Sequence, residues 1–274
     1  MTDFDVGTSL TPRSAPLANA ALSEFTWQVP DGWQQGRGAW GGLAIGAMIN
    51  AATLAEPDSS RSVRSVALQL SAPAVVGSYS ISVQPIRIGS RMSTWSVRIV
   101  SESDEVIGSA MVVMGSPRPS AAERDEDAWS PLRAPVAPSP SLVPIADTPP
   151  PFPPYTRLLE YRVVSGAPLQ GGVAETLGWI GLRKQPPWSA TLAIALADAW
   201  YSATLVSMHE LVPISTVLFT AQVLVDTASL TPGDPLLHHG MVTGADEGFI
   251  SENCRLWSTD GRLVVDSVQT VVVG

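Results

Sequence analysis

Hydrophobic and polar positions alternate along most of this chain. "RSVALQLSAPAV", "SYSISVQPIRIG", "MSTWSVRIVSES" and "EVIGSAMVVM" follow one another between residues 64 and 114. "ISTVLFTAQVLVD", "LLHHGMVTG", "GFISENCRLWST" and "RLVVDSVQTVVV" do the same between 214 and 273. Period-two runs of this length predict half-buried strands joined in antiparallel meanders. Two stretches break the alternation: "AWGGLAIGAMINAATL" (39–54) and "SATLAIALADAWYSATLVSM" (189–208). Each has the length of a helix and is apolar on nearly every side, so each predicts a helix surrounded by protein. Shorter strand-like runs, "EFTWQVP" in one case and "LEYRVVS" with "LGWIGLR" in the other, precede them.

The order strand, apolar helix, meander therefore occurs twice. Laying "AATL" (51–54) on "SATL" (202–205) gives an offset of 151, and the same offset lays "VRSVALQL" (63–70) on "ISTVLFTA" (214–221). Agreement at one offset supports a duplicated unit. Between the copies, residues 117–155 hold half of the chain's 24 prolines. Proline breaks helices and denies a donor to a sheet, so this segment reads as a linker. The expected organisation is a polar N-terminal tail (1–20), a first repeat (21–116), the proline-rich linker (117–157) and a second repeat (158–274). Each repeat is a curved antiparallel sheet wrapping its helix, with the two sheets joined into one. That is an α+β tandem (double) hot-dog arrangement. The small residues of both helices let helix and sheet approach closely.

Composition narrows the function classes. The 274 residues are 45% hydrophobic and carry a net charge of −9, with no basic run. Phosphate backbones are bound by clustered Lys and Arg, so a nucleic-acid partner is excluded. No uninterrupted apolar run reaches the ~20 residues of a membrane span, and the start of the chain has no basic-then-apolar leader. A cytoplasmic protein without stable membrane insertion is expected. Cys254 is the single cysteine, which excludes an intrachain disulfide or a cysteine-rich zinc site. It lies in an alternating run and reads as a small strand residue. His209 reads as a residue just past the second helix, and His238 and His239 as turn residues at a strand start. No metal and no cofactor are expected.

One residue is out of place. Asp198 lies in the middle of the second apolar stretch. An unpaired buried carboxylate costs several kcal/mol or takes up a proton. It faces solvent, or bonds a local partner such as Tyr201 or Ser202, or has chemistry to perform.

Several segments resemble the acyl-CoA thioesterase II family. "GRGAWGGLAIGAMINAA" is similar to the start of that family's first hot dog, and "LEYRVVSGAPLQGGVAETLGWIGLR" to the opening of its second. "LADAWYSATL", "PISTV" and "DGRLVVDSVQ" then occur in the family's order. The resemblance spans all but the N-terminal tail and the linker. It implies hydrolysis of an acyl-CoA thioester, with three working groups: an Asp on the second helix, a Thr opening the next strand and a Gln near the C-terminus. These fall on Asp198, Thr216 and Gln269. Asp198 would be the general base, and Thr216 and Gln269, both neutral, would hold the attacking water. Attack by Asp198 itself, through an anhydride, remains an alternative. Trp40, Gly41 and Gly42 at the start of the first helix would bind the thioester carbonyl through exposed backbone N–H groups. The glycine pair has no counterpart at Leu192-Ala193, nor Asp198 at Ala47, so the repeats have specialised differently. The family implies at least a homodimer. After the Thr, "VLFTAQVLV" replaces the family's histidine and aromatic residues, which alters the pocket wall. Arg87, Arg91 and Arg98 are candidates for the coenzyme A phosphates.

Two other functions remain in view. A non-catalytic acyl-CoA-binding protein would share the fold. A hot-dog hydratase or dehydratase would need an Asp–His pair, and Asp198 is followed by Ala199 and Trp200.

Overall fold

The computed structural model of the protein describes residues 2–13, 22–118, 132–136 and 152–274. The chain begins with α1 (Asp3–Gly7) and β1 (Leu10–Pro12). β2 (Ser23–Val29), the short pair β3 (Gln34–Gln35) and β4 (Gly38–Ala39), and α2 (Gly41–Ala55) follow. The first meander is β5 (Ser62–Leu70), β6 (Gly77–Ile88), β7 (Met92–Val100) and β8 (Val106–Gly115). A 3-10 turn (Pro154–Leu158) leads into β9 (Leu159–Ser165), β10 (Glu175–Leu182), α3 (Ala190–Ala197) and α4 (Thr204–Ser207). The second meander is β11 (Ile214–Val223), β12 (Leu236–Asp246), β13 (Phe249–Trp257) and β14 (Leu263–Val273).

Twelve strands form one sheet in the order β1-β2-β6-β7-β8-β5-β11-β14-β13-β12-β10-β9. The halves have the same internal order, outward from their shared boundary. β5 and β11 pair antiparallel across that boundary, Phe219 opposite Leu68 and Ala221 opposite Val66. This is the tandem hot-dog fold, with one sheet continuous through both units. Most of the linker expected at 117–157, namely 119–131 and 137–151, lies outside the described residues.

The sheet's inner face and two helices make the core. Leu43, Ile45, Ala47, Met48 and Ile49 of α2 and Ala193, Ile194, Ala195 and Leu196 of α3 have no exposed surface. The helices run antiparallel, side by side. A Cβ on Gly42 would lie 2.6 Å from the carbonyl oxygen of Ala195. Farther along, the Thr191 hydroxyl donates to Asn50 Oδ1 at 3.2 Å. Glycine at 42 is thus needed for close approach, and the start of α2 faces the end of α3.

The N-terminal segment departs from the expected tail. Among residues 2–13, Phe4 is 3% exposed and packs edge-on against Trp33. β1 pairs with β2 at the sheet edge, and the Trp27 indole donates to the Gly7 carbonyl at 2.8 Å. The stretch is polar on average, but its few apolar side chains are the ones that dock.

Candidate active site

The helix expected over 189–208 stops at Asp198, which is the C-cap of α3. No proline or glycine ends it. Side chains from elsewhere take the backbone groups that would have continued it. A helix running on would join the Ala203 N–H to the Ala199 carbonyl. Instead that carbonyl accepts from the hydroxyls of Tyr155 at 3.1 Å and Tyr161 at 2.7 Å. The Ala203 N–H donates to Glu252 Oε1 at 3.0 Å. The Asp198 carbonyl accepts from the Trp40 indole at 2.9 Å.

The break turns the Asp198 carboxylate towards the first repeat. It leaves the negative end of α3, where a carboxylate is disfavoured, and meets the positive end of α2, where one is favoured. The Gly42 N–H and the Trp40 indole N–H face it and favour its charged form. A Cβ on Gly41 would lie 2.6 Å from Asp198 Oδ2. Trp40 is fully buried, stacked between Trp33 at 5.9 Å and Tyr155 at 5.2 Å. Asp198, Trp40, Gly41 and Gly42, predicted from two halves of the sequence, therefore meet at one point. Neither local partner holds Asp198: Ser202 donates to Glu252, and the Tyr201 hydroxyl to the Gly166 carbonyl.

Burial and hydrogen bonding pull the acidity of Asp198 in opposite directions. Burial wins and pushes its pKa up to about 7, with the nearby Glu252 charge adding to the rise. The residue keeps a partial opening to solvent. It is a carboxylate ringed by protein and poised near neutrality, which suits a general base.

Thr216 and Gln269 come together on the inner sheet face. Gln269 shares its face with Val265, Ser267 and Val271, all buried. The β11–β14 register slips between Thr216 and Leu218, so Thr216 lies opposite Val271 while Phe219 lies opposite Gln269. Opposed residues point to the same side. This bulge brings Thr216 inward, where strict alternation from Phe219 would turn it out. The Thr216 hydroxyl donates to Gln269 Oε1 at 2.9 Å. That bond commits the amide oxygen and leaves the amide NH2 to donate. The Asp198 carboxyl faces Gly41, Gly42 and Trp40, so the predicted residues form two groups rather than one bonded cluster.

Glu252 was not anticipated. It is 2% exposed and lies directly opposite Gln269 across β13–β14. Its signal was present in "FISENCRLW", where it has the same parity as the inward-facing Ile250, Cys254 and Leu256. His238 and His239, expected in a turn, lie within β12. His238 is buried, stacked on Trp200 at 4.7 Å, and burial holds its pKa down at about 3, so it is neutral. His239 faces the other side and pairs with Glu175. Cys254 is the buried strand residue expected, its thiol pushed up by burial and so unreactive. Among the described residues, no group of three or more His, Cys, Asp or Glu could hold a metal ion. No helix there is long and apolar enough to cross a membrane.

Residues 29–115 match the acyl-CoA thioesterase N-terminal domain, and residues 122–273 match the acyl-CoA thioesterase C-terminal domain. The chain belongs to the acyl-CoA thioesterase family. It is accordingly a thioester hydrolase. Solved structures agree on the fold. A hot-dog protein of unknown function from Alicyclobacillus acidocaldarius is 23% identical with a TM-score of 0.86, covering 100% of this chain and 98% of its own. A putative thioesterase II from Thermobifida fusca YX is 19% identical at 0.80, with the same coverage. The acyl-CoA thioesterase II TesB2 from Mycobacterium marinum is 18% identical at 0.74, covering 99% and 98%. No curated protein matches the sequence.

Proposed function

We propose that this thioesterase hydrolyses acyl-CoA at the junction of α2 and α3, with Asp198 as general base. The carrying observation is the Asp198 carboxyl, raised to about 7 and set against the start of α2, where a Cβ on Gly41 would lie 2.6 Å from its Oδ2. A water between Asp198 and the Gln269 amide gives its proton to the carboxylate and attacks the thioester carbonyl carbon. Gln269 donates to the water oxygen, and Thr216 acts through Gln269 by fixing the amide. The carbonyl oxygen lies at the N-terminus of α2, where Gly41 and Gly42 let a substrate approach the backbone and Trp40 walls the site. As Asp198 takes the proton, its claim on the Gly42 N–H weakens, and that donor turns to the developing oxyanion. The tetrahedral intermediate then collapses. The C–S bond breaks, and the leaving thiolate takes the proton back from Asp198.

The protein is proposed to be cytoplasmic and at least a homodimer. Met111, Leu218 and Val268 are exposed on the outer sheet face and give a second copy apolar surface to bury. Sedimentation velocity tests that assembly.

The deciding experiment is free-thiol release from acyl-CoAs of increasing chain length, by wild type and Asp198→Asn side by side. Release by the wild type, with loss of at least about 100-fold in a folded variant, supports the reading. Undiminished release by the variant, or none by the wild type, overturns it.

A further inference from the structure

The second carboxylate has no part in the chemistry above, yet it is buried and both of its oxygens accept hydrogen bonds. Glu252 Oε1 accepts from the Ala203 N–H at 3.0 Å, and Oε2 accepts from the Ser202 hydroxyl. Ala203 is the residue whose N–H would otherwise return to Ala199 and carry α3 past Asp198. Glu252 is also the Cα partner of Gln269, so one side chain touches the turn after Asp198 from the strand beside the Gln269 strand. A carboxyl side chain buried to 98% is not retained for packing: a leucine would fill the space without the desolvation cost.

We propose that Glu252 is a positioning residue for thioester hydrolysis: its carboxylate holds the break in the helix open and so fixes Asp198 relative to Gln269. The proposal rests on the reading of Asp198 as the base. Tyr155 and Tyr161 hold the carbonyl half of the broken helical bond, and Glu252 holds the N–H half. Without Glu252, the Ala203 N–H is left buried and unpaired or recloses on Ala199, and either outcome turns the Asp198 carboxylate away from α2.

Charge gives the proposal a second signature. The groups around the two carboxylates are Tyr155 of the 3-10 turn, Tyr161 of β9, Tyr201 of the break itself, His238 of β12 and Cys254 of β13. Burial keeps the three tyrosines and the thiol protonated well above neutrality and keeps His238 uncharged. Trp40 and Gly42 of α2 bring only N–H groups. Asp198 is thus left to titrate near neutrality in this cluster, and the Glu252 charge adds to its rise.

The test compares Glu252→Gln with Glu252→Leu. Glutamine keeps an acceptor for the Ala203 N–H but removes the charge. Its acid limb of kcat/KM against pH should move down by about half a unit or more, with a smaller fall in plateau kcat than leucine produces. Leucine removes the acceptor, and kcat should fall by about 10- to 100-fold with KM little changed, because a misplacement near 1 Å costs that much. Thermal melts establish that both variants are folded. The Asp198 carboxyl is also titrated by carbon-13 NMR in wild type and Glu252→Gln, a readout that needs no turnover. A lower melting temperature with an unmoved acid limb, unmoved Asp198 titration and wild-type kcat per folded molecule would make Glu252 purely structural and overturn the proposal. If the wild type releases no thiol from any acyl-CoA, the thioesterase mechanism fails, and the Asp198 titration alone decides Glu252: no shift overturns it.

Discussion

Asp198→Asn tests the central electrostatic claim without any substrate. The carboxyl rises from an ordinary value near 3.8 to about 7 because the native state desolvates it. At about 1.4 kcal/mol per pH unit, that difference amounts to about 4 kcal/mol at most, and less to the extent that water reaches the group. The sign follows from proton binding. Below about pH 4, native and unfolded chains both hold the proton, and the group contributes nothing. From there to about pH 7 the native state keeps its proton while the unfolded chain loses it, so rising pH favours unfolding. Above pH 7 the full penalty applies. Asparagine cannot ionise, so its stability curve lacks this fall. Urea denaturation followed by tryptophan fluorescence, at half-unit steps from pH 4.5 to 8.5, gives both curves. The difference between variant and wild type should widen in the variant's favour by about 2–4 kcal/mol across that range. Any constant offset from the amide's own hydrogen bonds cancels in the change. Parallel curves would mean a solvated carboxylate of ordinary acidity. A wild type that gains on the variant as pH rises would mean an ion-paired one. Either result removes the basis for a base that operates near neutrality.

Two further substitutions separate packing from chemistry. Gly42→Ala would put a Cβ 2.1 Å from the Trp40 ring and 2.6 Å from the Ala195 carbonyl oxygen. It should destabilise the fold by about 2 kcal/mol or more in denaturant titrations, since neither neighbour is a flexible chain end. Thr216→Val keeps the shape and removes the hydroxyl that fixes Gln269, so kcat should fall about 10-fold, less than for Asp198→Asn, with melting temperature nearly unchanged.

The fold was legible because burial on a sheet follows parity. Period-two runs marked the two meanders, and the two fully apolar stretches marked the elements they wrap. The three side chains proposed to do the chemistry came from resemblance, and the parity of Val265, Ser267 and Val271 places Gln269 inward on the same logic. What stayed hidden depends on groups distant in sequence. The stop of α3 at Asp198 carries no local signal, because its causes are the hydroxyls of Tyr155 and Tyr161 and the carboxylate of Glu252. The inward turn of Thr216 depends on a bulge that strict alternation cannot express. Phe4 was averaged into a polar tail. Glu252 could have been read from its parity between Ile250 and Cys254, since a glutamate at an inward position is anomalous for the same reason as Asp198.

The duplicated architecture gives a physical reason for the proposed chemistry to settle at one helix junction and not the other. Two antiparallel helices create two such junctions, each joining the positive end of one to the negative end of its neighbour. At the start of α3, the polar groups satisfy one another. Ser189 caps the Leu192 N–H at 3.1 Å, and Thr191, Asn50 and Thr8 bond in sequence. Beyond the end of α2, Glu56 is taken up by Arg61, Ser93 and the Trp95 indole. That carboxylate is neutralised by a cation and saturated with donors. Among the described residues Asp198 has no cation partner, and the nearby acid, Glu252, is engaged by the Ala203 N–H and the Ser202 hydroxyl. The two junctions differ in what they offer a water molecule. One presents a carboxylate whose charge is already answered; the other presents a carboxylate whose charge is only partly answered and which still gains from taking a proton.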